Sequence, residues 1–144
     1  MRRFCYFAMR YVSDRAYHKH SMYLLSNSNI FGLGARDLLL VALVARYHRR
    51  GSPKPDHEGY ASLNRVDRVL VAKLAAILRL ADSLDDSRSQ RIERFTIHPE
   101  GDRLIVGVYD VDDLSLEQLS FQQKGPLFEE VFGMRVLLRQ QRDS

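Results

Sequence analysis

Arg65-Val66-Asp67-Arg68-Val69-Leu70-Val71-Ala72-Lys73-Leu74-Ala75-Ala76-Ile77-Leu78-Arg79-Leu80-Ala81-Asp82-Ser83-Leu84 is the stretch that decides the fold. Val66, Val69, Leu70, Leu74, Ile77, Leu78, Ala81 and Leu84 recur at three- and four-residue steps, which predicts one long amphipathic helix. Arg68, Lys73 and Arg79 fall largely outside that stripe, and Asp82 lies at the edge of the side expected to be buried. Ser62 or Asn64 is placed to cap the helix start, where a short polar side chain can accept from a free backbone N–H.

Working towards the N-terminus, Gly51-Ser52-Pro53-Lys54-Pro55 interrupts helix, because proline fixes φ and has no N–H to donate. Before it, Leu38-Leu39-Leu40-Val41-Ala42-Leu43-Val44-Ala45 is apolar on every side. With its polar continuation Arg46-Tyr47-His48-Arg49-Arg50, it predicts a helix from about 35 to 48 at the centre of a bundle. A buried strand is the competing reading of so short a run. A further helix is expected over 18–27, with Met22, Leu24 and Leu25 as its apolar side and Ser26-Asn27-Ser28-Asn29 as its stop.

Working towards the C-terminus, the period changes. Phe95-Thr96-Ile97-His98 and Leu104-Ile105-Val106-Gly107-Val108-Tyr109 read as strands. Pro99-Glu100-Gly101-Asp102 reads as the turn of an antiparallel hairpin. Residues 114–123 are ambiguous between strand and helix. Pro126 is expected to start a short helix to Phe132, Gly133 to stop it, and 134–138 to form a last strand. The fold class is therefore mainly α, a helical bundle over 12–91 followed by a small α+β extension over 92–140, with 1–11 as an atypical leading segment.

The chain of 144 residues is 45% hydrophobic and 28% charged, ordinary for a globular protein. No apolar run approaches the roughly 18 residues of a membrane span. The start, with two arginines before Phe4-Cys5-Tyr6-Phe7-Ala8-Met9, has too short an apolar core for a signal peptide. Cys5 is the single cysteine, so no internal disulfide forms and a reducing, cytoplasmic setting is expected. The net charge of +4 is uneven: residues 1–60 hold 10 Lys/Arg against 4 Asp/Glu, and 61–144 hold 12 against 14. A basic half points to a polyanion, or to no more than a solvated surface. Nucleic acid is disfavoured, because no recognition motif accompanies the charge.

His48 closes the most apolar helix and Asp82 borders the long one. A carboxylate there needs a histidine, an arginine or a metal as partner. Imidazole and carboxylate together suit a divalent metal such as Mg or Mn, although a plain hydrogen-bonded pair is the simpler reading. His18 and His20, two apart, do not face the same way on a helix. His57 and His98 read as surface residues. Lys19, Arg46, Arg49, Arg50 and Lys54 are the candidate phosphate contacts, because the guanidinium fork matches phosphate oxygens. Neither a phosphate-cradling glycine loop nor a Gly-x-Ser-x-Gly element is present.

Four segments carry a resemblance. They are His18-Lys19-His20-Ser21-Met22-Tyr23-Leu24-Leu25, then Leu40 to Gly51 with its Arg46-Tyr47-His48, then Leu74 to Asp85 with its Ala81-Asp82-Ser83, and Phe128-Glu129-Glu130-Val131-Phe132-Gly133. In this order they resemble the C-terminal part of the exopolyphosphatase/guanosine pentaphosphatase (Ppx/GppA) family, over about residues 12–139. The resemblance implies that the bundle is HD-like. It also implies a role in a polyphosphate channel and in a homodimer, while the family's phosphatase site resides in actin-like domains that these residues do not include.

In that register Tyr6-Phe7 stands about where an HD site has its adjacent His-Asp. His18 or His20, His48 and Asp82 keep only the later positions, so catalysis by this chain alone is not expected. The reading is a module that binds polyphosphate or a phosphorylated nucleotide, or that serves regulation or dimerisation. The alternative is a residual metal-dependent HD-type phosphohydrolase. A sheet edge supplied by the hairpin is a third way for the chain to act, as an interaction piece.

Overall fold

The computed structural model describes residues 32–48, 51–84 and 92–142. Their elements, in order, are α1 (Ala35–Tyr47), α2 (Arg65–Ser83), β1 (Phe95–Glu100), β2 (Arg103–Val108), α3 (Ser115–Phe132) and β3 (Arg135–Gln140). The described residues thus combine helices with a three-stranded mixed sheet. The chain divides into two compact units, Met1–Ala75 and Ala76–Ser144. No described helix is long and apolar enough to cross a membrane.

In the first unit, α1 is the helix that the apolar run predicts. It buries Leu38, Leu40, Ala42, Leu43, Val44 and Tyr47, while Val41 remains exposed. Of the two candidate caps for α2, Asn64 is used: its Oδ1 accepts from the N–H of Asp67 at 2.9 Å, and its Nδ2 donates to Asp67 Oδ2 at 3.2 Å. The first of these bonds satisfies one of the backbone donors that a helix start leaves open. Ser62 turns back instead, donating to the carbonyl of Gly59. Asp67 is buried and is also held by Arg36, whose Nε donates to Oδ2 at 3.0 Å and whose Nη2 meets Oδ1. The hydrogen bond to Asp67 holds the Arg36 guanidinium above its ordinary pKa.

The apolar stripe of α2 is not the buried face. Val66, Val69, Leu70, Leu74, Ile77 and Leu78 are exposed, as are Ala81 and Asp82. The buried positions are Asp67, Val71, Ala75, Ala76, Arg79, Leu80 and Ser83. Periodicity identifies a helix and an apolar side. Which side is buried depends on contacts across the fold and is not contained in that periodicity. Burial lowers the pKa of Arg79 from its ordinary value, and Ser83 Oγ donates to the Arg79 carbonyl at 2.7 Å.

In the second unit the strand order is β1-β2-β3. β1 and β2 pair antiparallel from Phe95↔Val108 to Glu100↔Arg103, which is the hairpin that the alternation predicts. The turn is tighter than the sequence suggests. Pro99 and Glu100 belong to β1, and Gly101-Asp102 alone reverses the chain. Proline fits there because β1 is an edge strand and the missing N–H can face outward.

β3 joins β2 in parallel, Arg103↔Arg135 to Val108↔Gln140. Parallel pairing requires a long crossover, which explains α3. The ambiguous residues 114–123 and the expected short helix from Pro126 form one helix, Ser115–Phe132, with Pro126 inside it. An interior proline costs about 3 kcal/mol. Leu127 and Phe128, buried just after it, offset that cost, and Phe128 stacks on Phe132 at 4.3 Å. Gly133, at φ 71°, adopts the left-handed turn that ends α3, and its N–H donates to the Glu129 carbonyl. The core of this unit is Ile105, Val106, Val108, Val111, Leu114, Phe121, Leu127, Phe128 and Leu138.

Candidate functional site

Arg46, Tyr47 and His48 sit at the end of α1, where the apolar run gives way to polar residues. Tyr47 is 1% exposed. Its hydroxyl lies 2.8 Å from His57 Nδ1, and the two rings are nearly parallel with centroids 5.6 Å apart. Tyr60 meets Tyr47 edge-on at 5.8 Å. Two guanidinium groups flank this cluster: Arg46 over the Tyr47 ring at 5.4 Å and Arg68 over the Tyr60 ring at 5.7 Å. Such contacts add cation–π attraction to burial. Burial raises the Tyr47 phenol above its ordinary pKa, with Arg46 acting in the opposite sense.

The same groups fasten residues 51–63 to α1 and to the start of α2. Arg46 Nη1 donates to the Glu58 carbonyl at 3.2 Å, and Arg68 Nη2 donates to the Ala61 carbonyl at 2.8 Å. His57 N–H donates to the Lys54 carbonyl, and Tyr60 Oη donates to the Arg68 carbonyl. The loop carrying the exposed Lys54 is thus tied to the helix end carrying Arg46. His57, expected at the surface, is instead half-buried and anchors the loop. His98 is exposed, within β1.

His48 Nδ1 is 2.6 Å from the Ala45 carbonyl oxygen, which fixes the ring by a bond within its own helix turn. Asp82, in the second unit, accepts from Lys124 Nζ at 2.9 Å. Lys124 supplies the cationic partner that the sequence reasoning asked of a histidine, an arginine or a metal. A divalent cation at Asp82 would have to displace that ammonium. Among the described residues no group of three or more His, Cys, Asp or Glu is placed to hold a metal. His18, Lys19, His20, Arg49 and Arg50 lie outside the described residues.

Sequence reasoning missed three features. One is the Tyr47–His57–Tyr60 cluster, which the loop creates between residues far apart in sequence. The second is the Arg36–Asp67 pair. The third is on α3, where Glu117 Oε2 and Ser120 Oγ are buried with no hydrogen-bond partner among the described residues. Their three-residue spacing puts them on one side of a helix. That spacing was legible, but their burial was not.

The match to a family model is to Ppx/GppA phosphatase, domain III, over residues 10–124. No curated protein matches the chain significantly. The matched span includes α1, the anchored loop, α2, the hairpin and the first part of α3. With four-fifths of its length inside that domain model, the chain belongs to the Ppx/GppA phosphatase family.

Proposed function

We propose that the chain binds the phosphate chain of polyphosphate or of a phosphorylated nucleotide, as a binding or regulatory module of its family rather than as a phosphatase by itself. The helices belong, in this reading, to an HD-like bundle. Arg46, Arg49, Arg50, Lys54 and Lys19 supply the cations. The observation that carries the reading is the fastening of the Lys54 loop to the Arg46 helix end through Tyr47–His57 and Arg46–Glu58. A loop held in advance loses less entropy on meeting a ligand. The excess of Lys/Arg in residues 1–60 supports the same reading.

Filter retention of labelled polyphosphate by the full chain at two salt levels tests it. Several phosphate contacts release counterions, so about four of them weaken binding on the order of 50-fold between 50 and 200 mM salt. Replacing Arg46, Arg49 and Arg50 by alanine should abolish retention. No retention at low salt would overturn the proposal.

A second reading is a residual HD-type phosphohydrolase. One observation favours it: a carbonyl on Nδ1, as His48 has from Ala45, is how metal-binding histidines are commonly oriented. The Lys124–Asp82 pair opposes it. Metal content after purification, and hydrolysis with added Mn in the parent and in His48→Ala, separate the two readings.

A further inference from the structure

Lys54-Pro55-Asp56-His57 is a turn, closed by the His57 N–H donating to the Lys54 carbonyl at 3.0 Å. Pro55 stands at its second position, where the fixed φ of proline suits a turn. A turn of this kind brings its first and last Cα atoms within about 7 Å, so Lys54 and His57 leave the backbone close together. The His57 carbonyl in turn accepts from the Ala61 N–H at 2.9 Å. The backbone of His57 is thus held on both sides.

The imidazole is held as well. Nδ1 lies 2.8 Å from Tyr47 Oη, and the ring is only 13° from parallel to the Tyr47 ring. Burial raises the Tyr47 phenol above its ordinary pKa, so the phenol keeps its proton. A phenol O–H is a more acidic donor than an imidazole N–H, and an imidazole nitrogen is a more basic acceptor than a phenol oxygen. Tyr47 therefore donates and Nδ1 accepts. In a neutral imidazole one nitrogen accepts and the other carries the proton, which places it on Nε2. Among the described residues Nε2 has no hydrogen-bond partner, and it is not one of their sealed polar atoms, so solvent reaches it. Anchoring the loop uses Nδ1 alone, and an oriented N–H is left over at Nε2.

The charges around this ring come from three elements. Arg46 on α1 lies over the Tyr47 ring and bonds the Glu58 carbonyl, and Arg68 on α2 lies over the Tyr60 ring and bonds the Ala61 carbonyl. Lys54, Asp56 and Glu58 are exposed on the loop itself. The two carboxylates oppose an anion, and the three cations outnumber them. We propose that the Nε2–H of His57 donates a hydrogen bond to a phosphate oxygen, as an uncharged member of the site that Arg46 and Lys54 supply with charge, and that Tyr47 is its positioning residue. The inference rests on the phosphate-binding reading and adds to it a contact selected by orientation rather than by charge. The acceptor belongs to a phosphate chain, whether of inorganic polyphosphate or of a nucleotide.

Nitrogen-15 NMR of the full chain labelled at histidine, at about pH 8 where free imidazole is neutral, reads this out directly. The His57 signals are identified by their loss in His57→Asn. In the free protein Nδ1 should be unprotonated and Nε2 should carry the proton. Inorganic polyphosphate and a nucleoside triphosphate, each added at low salt, form the two arms. A shift of the Nε2–H signal with either supports the contact and identifies its source, and a shift with neither overturns it. Asparagine places an amide oxygen near the position of Nδ1, so His57→Asn keeps an acceptor for Tyr47 while removing Nε2. Its urea midpoint should stay near that of the parent, and its retention of polyphosphate should weaken about tenfold, as for a lost hydrogen bond to a charged group. Tyr47→Phe keeps the ring but not the donor, so both tautomers of His57 should appear, which a merely structural role for the hydroxyl would not produce. Polyphosphate retained with an unmoved Nε2 signal overturns this inference and leaves the phosphate-binding reading standing, whereas no retention at low salt overturns both. A proton on Nδ1 in the free protein, or parent-like retention by His57→Asn, also overturns it.

Discussion

The loop after α1 and the β1 edge handle apolar and polar groups in opposite ways. Around Tyr47 the aromatic rings are packed on one another, the phenol has His57, and Arg46 and Arg68 close the sides. Among the described residues β1 is paired on one side only, and Phe95 and Ile97 are about half exposed. The first region satisfies its side chains locally, so its function must come from what the loop displays. The second leaves apolar side chains exposed and, among the described residues, one edge of its strand unpaired.

The sharpest way to break the closed region is Tyr47→Ala. Removing a fully buried ring that three neighbours contact should cost about 3–5 kcal/mol in urea denaturation. A loss below about 1 kcal/mol would mean that the loop is not anchored through this ring. The second unit offers a test of opposite sign. Glu117 is buried with one oxygen unpartnered, and an unsatisfied buried polar group costs about 1–3 kcal/mol. Glu117→Met should therefore raise the urea midpoint. A fall would show that the carboxylate has a partner in solution.

Tyr47→Phe separates the ring from its hydroxyl. The lost bond to His57 should cost about 1 kcal/mol at neutral pH. Because burial raises the phenol's pKa in the folded state, the neutral form is the one that the fold favours. Its contribution is fully present below the unfolded value of about 10 and is lost as pH rises beyond it. The parent should accordingly lose stability above about pH 10, and Tyr47→Phe should lose less over the same range. Equal alkaline losses would remove Tyr47 from the account.

The smallest effect is expected at Gly107. A methyl group there would meet the side-chain amide of Gln141, which also contacts Thr96. That amide is the mobile end of a long side chain, so Gly107→Ala should cost no more than about 0.5 kcal/mol. A loss of several kcal/mol would show that Gln141 is locked in place.

Much of the element order was legible because it depends on short-range chemistry. The apolar run before Arg46, the Pro53 and Pro55 interruption, the Asn64 cap and the alternation across Phe95–His98 each act within a few residues. Residues whose place depends on contacts across the fold were not legible. His57 became an anchor only because the loop returns to Tyr47, ten positions away. Asp82 was read as a carboxylate at the edge of a buried stripe, whereas it is exposed and accepts from Lys124, 42 positions on. Pro126 looked like a helix start because sequence alone does not show that a parallel third strand demands a long crossover.

What the sequence by itself determined was the helix and strand periodicity, the basic excess in residues 1–60 and the family segments, since all are written in local composition and spacing. What only the tertiary structure decided was the buried face of α2. Val66, Leu70, Leu74 and Ile77 form the apolar stripe, yet the buried positions are Asp67, Val71, Ala75, Ala76, Arg79, Leu80 and Ser83. Burial depends on contacts made across the fold, which the periodicity of a single helix does not contain.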